Sequence, residues 1–401
     1  MILLQLLCRL CLKFARIGLI VFAFIVLIAM KILQPIVRFR LLVVGFHRFG
    51  HLALEPEIYL ARSKTDARGV IDLWSLGRAG NRTNEYLASK WSRVVNSQPS
   101  WFVGALQRAG NTVPLLALEN PKLSIHGPGN ALDNSNPHLV FDKVEQNEGR
   151  RQLELMGVDC DKPFACLIVR DAGHYLSVGD SESGGYSFLN FDISNFEEAA
   201  LALASLGCQV IRMGAGTEKP MRLQHPNVFD YAVSEFRNEF MDVFIAGTCS
   251  FAISTQTGPD AVCLAFRRPV FYVDVTRFSQ FFFGTKIAYW NPAHIYLNKS
   301  RLSLREILES PIFWLKDPDD FLKLGVEVVR SSPHELAEMC VAFAEHLLSD
   351  SRGLTDWNLT NQRVHQILEL GMGERGKLVF GLPTAPLNPL FAIRHGSWFL
   401  D

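Results

Sequence analysis

The run from Cys249 to Asp274 constrains the fold of this chain more than any other part of it. Cys249-Ser-Phe-Ala-Ile253 reads as a buried strand and Ser254-Thr-Gln-Thr257 as a hydroxyl-rich turn. Gly258-Pro-Asp260 opens a short helix, and Arg267-Arg-Pro-Val-Phe-Tyr-Val-Asp274 carries a second buried strand. Two apolar strands joined through one helix belong to a parallel sheet covered on both faces, and such sheets hold ligands at their loop ends. Consecutive polar residues at that junction suggest a phosphorylated ligand. A helix start offers free N–H groups to an anion, but Pro259 removes one donor and Asp260 places an acid in the first turn. An anion held here would therefore lean on Ser254, Thr255, Gln256, Thr257, the Gly258 amide and a nearby arginine. The alternative is that these side chains only satisfy backbone groups at a tight turn.

Strand–helix alternation recurs along the chain. Strands are expected over 41–45 and 70–76, with helices from 51 and over 81–95, where Asn81 or Thr83 would cap. A second series has strands over 164–169, 208–213 and 228–232 and helices over 195–206 and 235–246. Pro, Gly and Asn dominate 111–148, which is expected to be irregular. Beyond residue 303 the pattern is helical, including 335–348 and 361–370, before a Pro-rich tail. A chain of 401 residues exceeds what one core usually supports. The expected fold is α/β: two Rossmann-like domains facing a cleft, 41–160 and 161–375, with a membrane segment at 1–40 and a tail at 376–401.

Forty basic and forty acidic residues balance, which gives no support to nucleic-acid binding. The eight cysteines sit mostly singly in apolar stretches, with neither zinc spacing nor a disulfide framework. Cys8 and Cys11 make a formal C-x-x-C without a βαβ context. The uncharged run 17–30 reaches only about 21 Å as a helix, short of the ~30 Å hydrocarbon core. A full span would continue to Val37 with Lys31 snorkelling. Before that run, Arg9, Lys13 and Arg16 recur at helical spacing, a stripe suited to anionic headgroups. The expectation is an uncleaved anchor or interfacial helix, with the globular part cytoplasmic.

Five segments, in this order, resemble a family of bacterial proteins classed as glycosyltransferases of the GT-B type. They are Gly50-His-Leu-Ala-Leu-Glu-Pro-Glu57, Ile168-Val-Arg-Asp171, Val210-Ile-Arg-Met-Gly214, Glu239-Phe-Met-Asp242 and Ser254-Thr-Gln-Thr-Gly258. The resemblance implies two Rossmann-like domains and transfer of a sugar from a nucleotide-sugar donor to a lipid-linked or cell-surface glycan acceptor.

Such a transfer needs a base for the acceptor hydroxyl and positive groups for the leaving diphosphate. His51, just after Gly50, is the first candidate base, with Glu55 and Glu57 as orienting or replacing acids; the alternatives are a His51 that caps or packs the helix start and a pair of solvated acids that complement the helix dipole. Arg170 and Asp171 end a buried strand, where open α/β sheets put functional groups, although Arg170 would also fit a structural ion pair. Arg212 precedes the glycine turn Gly214-Ala-Gly216, and Glu239 and Asp242 are one helical turn apart. Asp159-Cys-Asp161 matches a D-x-D metal pattern but stands in a turn that favours Asp for backbone reasons. No metal or cofactor is expected. A sugar-nucleotide epimerase or hydrolase of the same fold and a non-catalytic membrane assembly protein remain rival readings.

Overall fold

Parallel strands run through both units into which the chain divides, Met1–Ile125 and His126–Asp401, in a computed structural model that describes residues 2–62, 69–126, 130–171, 173, 190–348 and 355–400. The first unit contains α1 (Ile2–Leu33), β1 (Arg38–Val43), α2 (Phe49–Arg62), β2 (Val70–Ser75), α3 (Glu85–Ser92) and α4 (Ser100–Thr112). β1 and β2 pair in parallel with Leu41 opposite Leu73. Parallel bridges add Glu119 beside Arg40 and Ser97 beside Trp74, so four segments lie side by side in a rudimentary doubly wound order. The helix cap falls on Asn84, whose Oδ1 accepts the Leu87 N–H at 2.7 Å, rather than on Asn81 or Thr83.

Ala23 and Leu27 of α1 are fully buried against Val103, Leu106 and Ala109 of α4 and against Leu41 and Leu73. One side of α1 is therefore part of the first unit's core. Among the described residues no helix is long and apolar enough to cross a membrane. The transmembrane form of the 1–40 expectation thus finds no support, for two physical reasons: the uncharged run is short, and one side of it is already packed on protein.

The second unit begins with α5 (Lys143–Leu155), in the stretch that composition suggested would be irregular. Its signal is a capping box, in which Asp142 and Glu145 exchange hydrogen bonds of 2.9 Å with each other's backbone N–H. The expected boundary near 160 falls between α5 and β3, both of which lie in this unit. The unit continues through β3 (Phe164–Ile168), α6 (Glu197–Ser205), β4 (Gln209–Met213), β5 (Val228–Phe229), α7 (Glu239–Thr248), β6 (Phe251–Ser254), α8 (Asp260–Ala265), β7 (Val270–Val275) and β8 (Ala288–Pro292). These strands form one parallel sheet ordered β5-β4-β3-β6-β7-β8. Counted within the unit, that is the 3-2-1-4-5-6 order of the doubly wound dinucleotide-binding fold. β3, β4, β6 and β7 are buried along their whole lengths, as parallel strands covered by helices on both faces must be.

A small antiparallel sheet, ordered β10-β9-β11, follows from β9 (His294–Leu297), β10 (Ser300–Arg301) and β11 (Val326–Val329). α9 (Pro333–Leu348), α10 (Thr355–Phe380) and α11 (Pro389–Leu400) complete the unit, so the Pro-rich tail ends in a helix. In the aromatic run Phe281-Phe-Phe283, Phe281 and Phe283 are fully buried beside Trp290, which puts both of them in the core. Cys166, Cys208, Cys249, Cys263 and Cys340 are buried free thiols.

Gly149 shows how closely α5 seats on α7. A Cβ there would lie 2.2 Å from the Phe244 ring. Gly149→Ala is expected to destabilise by about 1–3 kcal/mol through overpacking, although alanine is the better helix former. Thermal unfolding checks this, and a raised midpoint would show that α5 has room to move.

Candidate functional site

β3 and β6 are adjacent, yet the chain leaves β3 toward β4 and leaves β6 toward β7. Loops that diverge in this way open a crevice at the carboxyl ends of the two strands. Arg170 and Asp171 follow β3 there, and Thr255 to Gly258 follow β6. Backbone and side chain stitch the two ends together: the Arg170 N–H donates to Thr255 Oγ1 at 2.9 Å, and the Thr255 N–H donates to the Ile168 carbonyl at 3.2 Å.

The turn itself divides into an inner and an outer half. Ser254 is fully buried and its hydroxyl donates to Asp260 Oδ2 at 2.6 Å; the Thr257 N–H donates to the same oxygen at 2.7 Å. Ser254 and Thr255 are thus committed to the fold, whereas Gln256, Thr257 and Gly258 are half-buried and border the crevice. Gln256 has φ 58°, a left-handed conformation uncommon outside glycine, which the bonds on either side of it hold in place. Burial lifts the Asp260 carboxyl to about 6, even though the Ser254 and Thr257 donors favour its anion.

Arg212 and Arg170 have opposite environments. Arg212 is only 1% exposed. Its Nη1 donates to the Lys219 carbonyl at 2.8 Å and to Asp230 Oδ2 at 3.1 Å, and its Nη2 lies 3.7 Å from Asp171 Oδ2. Asp171 also accepts the N–H groups of Gly173 and Glu218, both at 3.0 Å. Arg212 and Asp171 therefore fasten the loop that begins at Gly214, while the half-buried Arg170 is the arginine that stands at the crevice. Asp242 accepts from the Tyr231 hydroxyl at 2.9 Å and from Arg237 at 3.0 Å, and burial raises its carboxyl. Asp159 and Asp161 pair separately with Lys162 and Arg150 at the surface. Among the described residues no group of three His, Cys, Asp or Glu side chains is placed to hold a metal ion. Tyr175 and Tyr186, whose rings the sequence offers for stacking on a base or sugar, lie outside the described residues.

Sequence reasoning missed a further set of residues beside Arg170. Asp274, at the carboxyl end of β7, is buried with φ 49° and accepts from Ser331 Oγ at 2.7 Å, the Ser331 N–H at 3.0 Å and Asn291 Nδ2 at 3.0 Å. Next to Ser331, Arg330 donates to the Asn190 carbonyl at 2.6 Å and stacks 3.7 Å over the Phe191 ring. The Phe191 N–H in turn donates to the Arg170 carbonyl at 2.8 Å. This chain of contacts ties the end of β7 to the end of β3. Its only trace in the sequence is an acid closing a buried strand.

In the first unit, His51 and Glu55 sit one turn apart on α2, which follows β1. His51 Nδ1 meets Glu55 Oε1 at 2.7 Å, and Glu55 Oε2 accepts the Gly45 N–H at 2.7 Å. A Cβ on Gly45 would come within 2.9 Å of His51 Cβ, so glycine is what lets the loop pass this close. Glu55 is buried and the His51 side chain is 30% exposed. With Nδ1 shared with a carboxylate, a neutral His51 keeps Nε2 as its acceptor. Glu57, on the same helix, is fully buried.

Comparison with known proteins gives no matching family model and no matching curated protein. Among solved structures, the chain is similar to a glycosyl transferase of family 9 from Veillonella parvula, with 12% identity, TM-score 0.47, and coverage of 79% of this chain and 99% of that one. It is also similar to ADP-heptose LPS heptosyltransferase II of E. coli, with 13% identity, TM-score 0.37, and coverage of 65% and 92%. A third similarity is to an E. coli heptosyltransferase bound to ADP, with 13% identity, TM-score 0.33, and coverage of 71% and 99%.

Asp260 gives a pH test of the turn. A carboxyl whose native pKa exceeds its unfolded value binds more protons when folded, so its stabilising contribution is complete below about pH 4 and is lost as pH rises through about 6. Relative to Asp260→Asn, the wild type should lose of order 2 kcal/mol across that window. Unfolding midpoints of both proteins, measured at pH values on either side of it, check the sign. A difference independent of pH would show an unperturbed carboxyl.

Proposed function

We propose that this chain is a metal-independent glycosyltransferase. It would take its sugar from a nucleotide-sugar donor and deliver it to a lipid-linked or cell-surface glycan acceptor while associated with a membrane, its globular part on the cytoplasmic face. The observation that carries this reading is the convergence of Arg170 with the outer half of the Thr255–Gly258 turn at the switch point of a 3-2-1-4-5-6 sheet. A guanidinium beside half-buried turn polar groups suits the diphosphate of such a donor. A dinucleotide is less well served. The sequence has one G-x-G-x-x-G, Gly371 to Gly376, and it lies at the kink that Gly373 makes between two helical segments of α10 rather than between a strand and a helix.

In this reading Arg170 and the Gln256–Gly258 edge hold the diphosphate and stabilise the charge it develops on leaving. His51 Nε2 takes the proton of the acceptor hydroxyl. Glu55 fixes the ring through Nδ1 and stabilises the imidazolium that forms, the usual part of an acid behind a histidine base. Arg212, Asp171, Ser254 and Thr255 keep the crevice walls in place without meeting the donor.

Thermal shift against a panel of nucleotide sugars should find a stabilising donor. Arg170→Ala should weaken that donor roughly 10–100-fold, as expected for a charge-assisted hydrogen bond. His51→Ala should leave donor binding intact and lower turnover roughly 10²–10⁴-fold. An undiminished thermal response in Arg170→Ala would remove the phosphate contact. Isomerised or hydrolysed nucleotide sugar formed without any acceptor would identify an epimerase or hydrolase instead.

A further inference from the structure

Over residues 17–33, the side of α1 that faces away from the core is apolar and open. Ile17, Val21, Ile25, Ile28 and Ile32 fall on one face of the helix and are 57%, 53%, 62%, 46% and 73% exposed. Ala23 and Leu27, opposite them, are fully buried. The patch widens onto α4, where Phe22 lies 6.4 Å from Phe102 and the neighbouring Trp101 is 55% exposed. A contiguous apolar surface of this kind marks an interaction site.

Charge indicates what covers it. Arg9, Lys13, Arg16 and Lys31 are the only charged residues of α1, and the stretch 97–118 that contains α4 carries Arg108 and no acid, whereas Arg38 and Arg40 beyond α1 pair with Glu119 and Asp72. Every formal charge on α1 and α4 is therefore positive. A second copy docked by the same face would bring those cations together, whereas an anionic bilayer would neutralise them. An apolar face bordered by basic residues, with an aromatic at its edge, is the pattern of a helix lying in the plane of a membrane interface.

We infer that α1 is an in-plane membrane helix: Ile17, Val21, Ile25, Ile28 and Ile32, with Trp101, enter the headgroup–acyl boundary of an anionic bilayer while Ala23 and Leu27 hold the helix to the first unit. The inference rests on the membrane association proposed above and is independent of donor binding. Its test uses the full chain and lipid alone, so its failure and that of the donor reading are separable.

The full chain should co-float with phosphatidylglycerol–phosphatidylcholine vesicles, and binding should fall with added salt or with pure phosphatidylcholine. Ile25→Glu/Ile28→Glu, at two exposed positions, should keep the wild-type circular dichroism and bind at least roughly tenfold more weakly. Leu27→Glu, by contrast, should unfold the first unit. Trp101 emission should shift to the blue on the vesicles, a signal absent from Trp101→Phe. Equal flotation of the double variant would overturn the inference, as would equal affinity for neutral and anionic vesicles. A concentration-dependent dimer that the double variant abolishes, without any vesicle binding, would assign the face to a second copy instead.

Discussion

The parallel pairing of β3 with β6 is the contact on which the second unit depends. It joins two strands whose chains then run to opposite sides of the sheet, so the crevice exists only while their carboxyl ends stay in register. Thr255 keeps them so from both directions, giving its N–H to Ile168 and taking the Arg170 N–H on its hydroxyl. Because both bonds use backbone groups, they fix where the chain places Arg170 and Gln256.

Electrostatics sorts the polar residues by burial. Arg212 lies among Asp171, Asp230 and the Lys219 carbonyl, where removing one partner leaves an uncompensated buried charge costing about 3–5 kcal/mol. Such a residue holds a loop and has little capacity left for a ligand. Asp260 does comparable work for the turn. It draws Ser254 inward and bends the chain so that Gln256 takes a left-handed conformation, which turns the outer half toward the crevice. Pro259 and Asp260 therefore limit the short helix as an anion receptor and at the same time shape the edge that remains.

Much of this was legible in the sequence, because parallel strands buried on both faces leave long apolar runs with polar punctuation. Every strand of the 164–213 and 251–275 stretches can be read that way, and the switch-point turn stands out by its four polar residues. What could not be read falls into two groups. Side-chain commitments, such as Ser254 to Asp260 or Arg212 to Asp171, depend on which polar residue faces inward, and a polar letter does not state its direction. Long-range ties, such as Asp274 to Ser331, join residues whose local patterns say nothing of each other. Capping is intermediate: Asp142 and Glu145 carry a local signal for α5 that the surrounding Pro- and Gly-rich composition conceals.

The first unit shows how one sequence feature can serve two environments. α1 is 32 residues long, but its uncharged run has only part of its circumference available, because Ala23 and Leu27 are needed against α4. Removing a helix from protein packing to bury it in lipid exchanges one apolar contact for another, so the packed side gains nothing by insertion. The open side gains its full transfer energy by lying at an interface. Parallel placement satisfies both sides at once, and the basic residues then remain near the water–lipid boundary, where their hydration costs least. The short uncharged run, which is a deficiency in a spanning helix, is therefore consistent with one that lies flat.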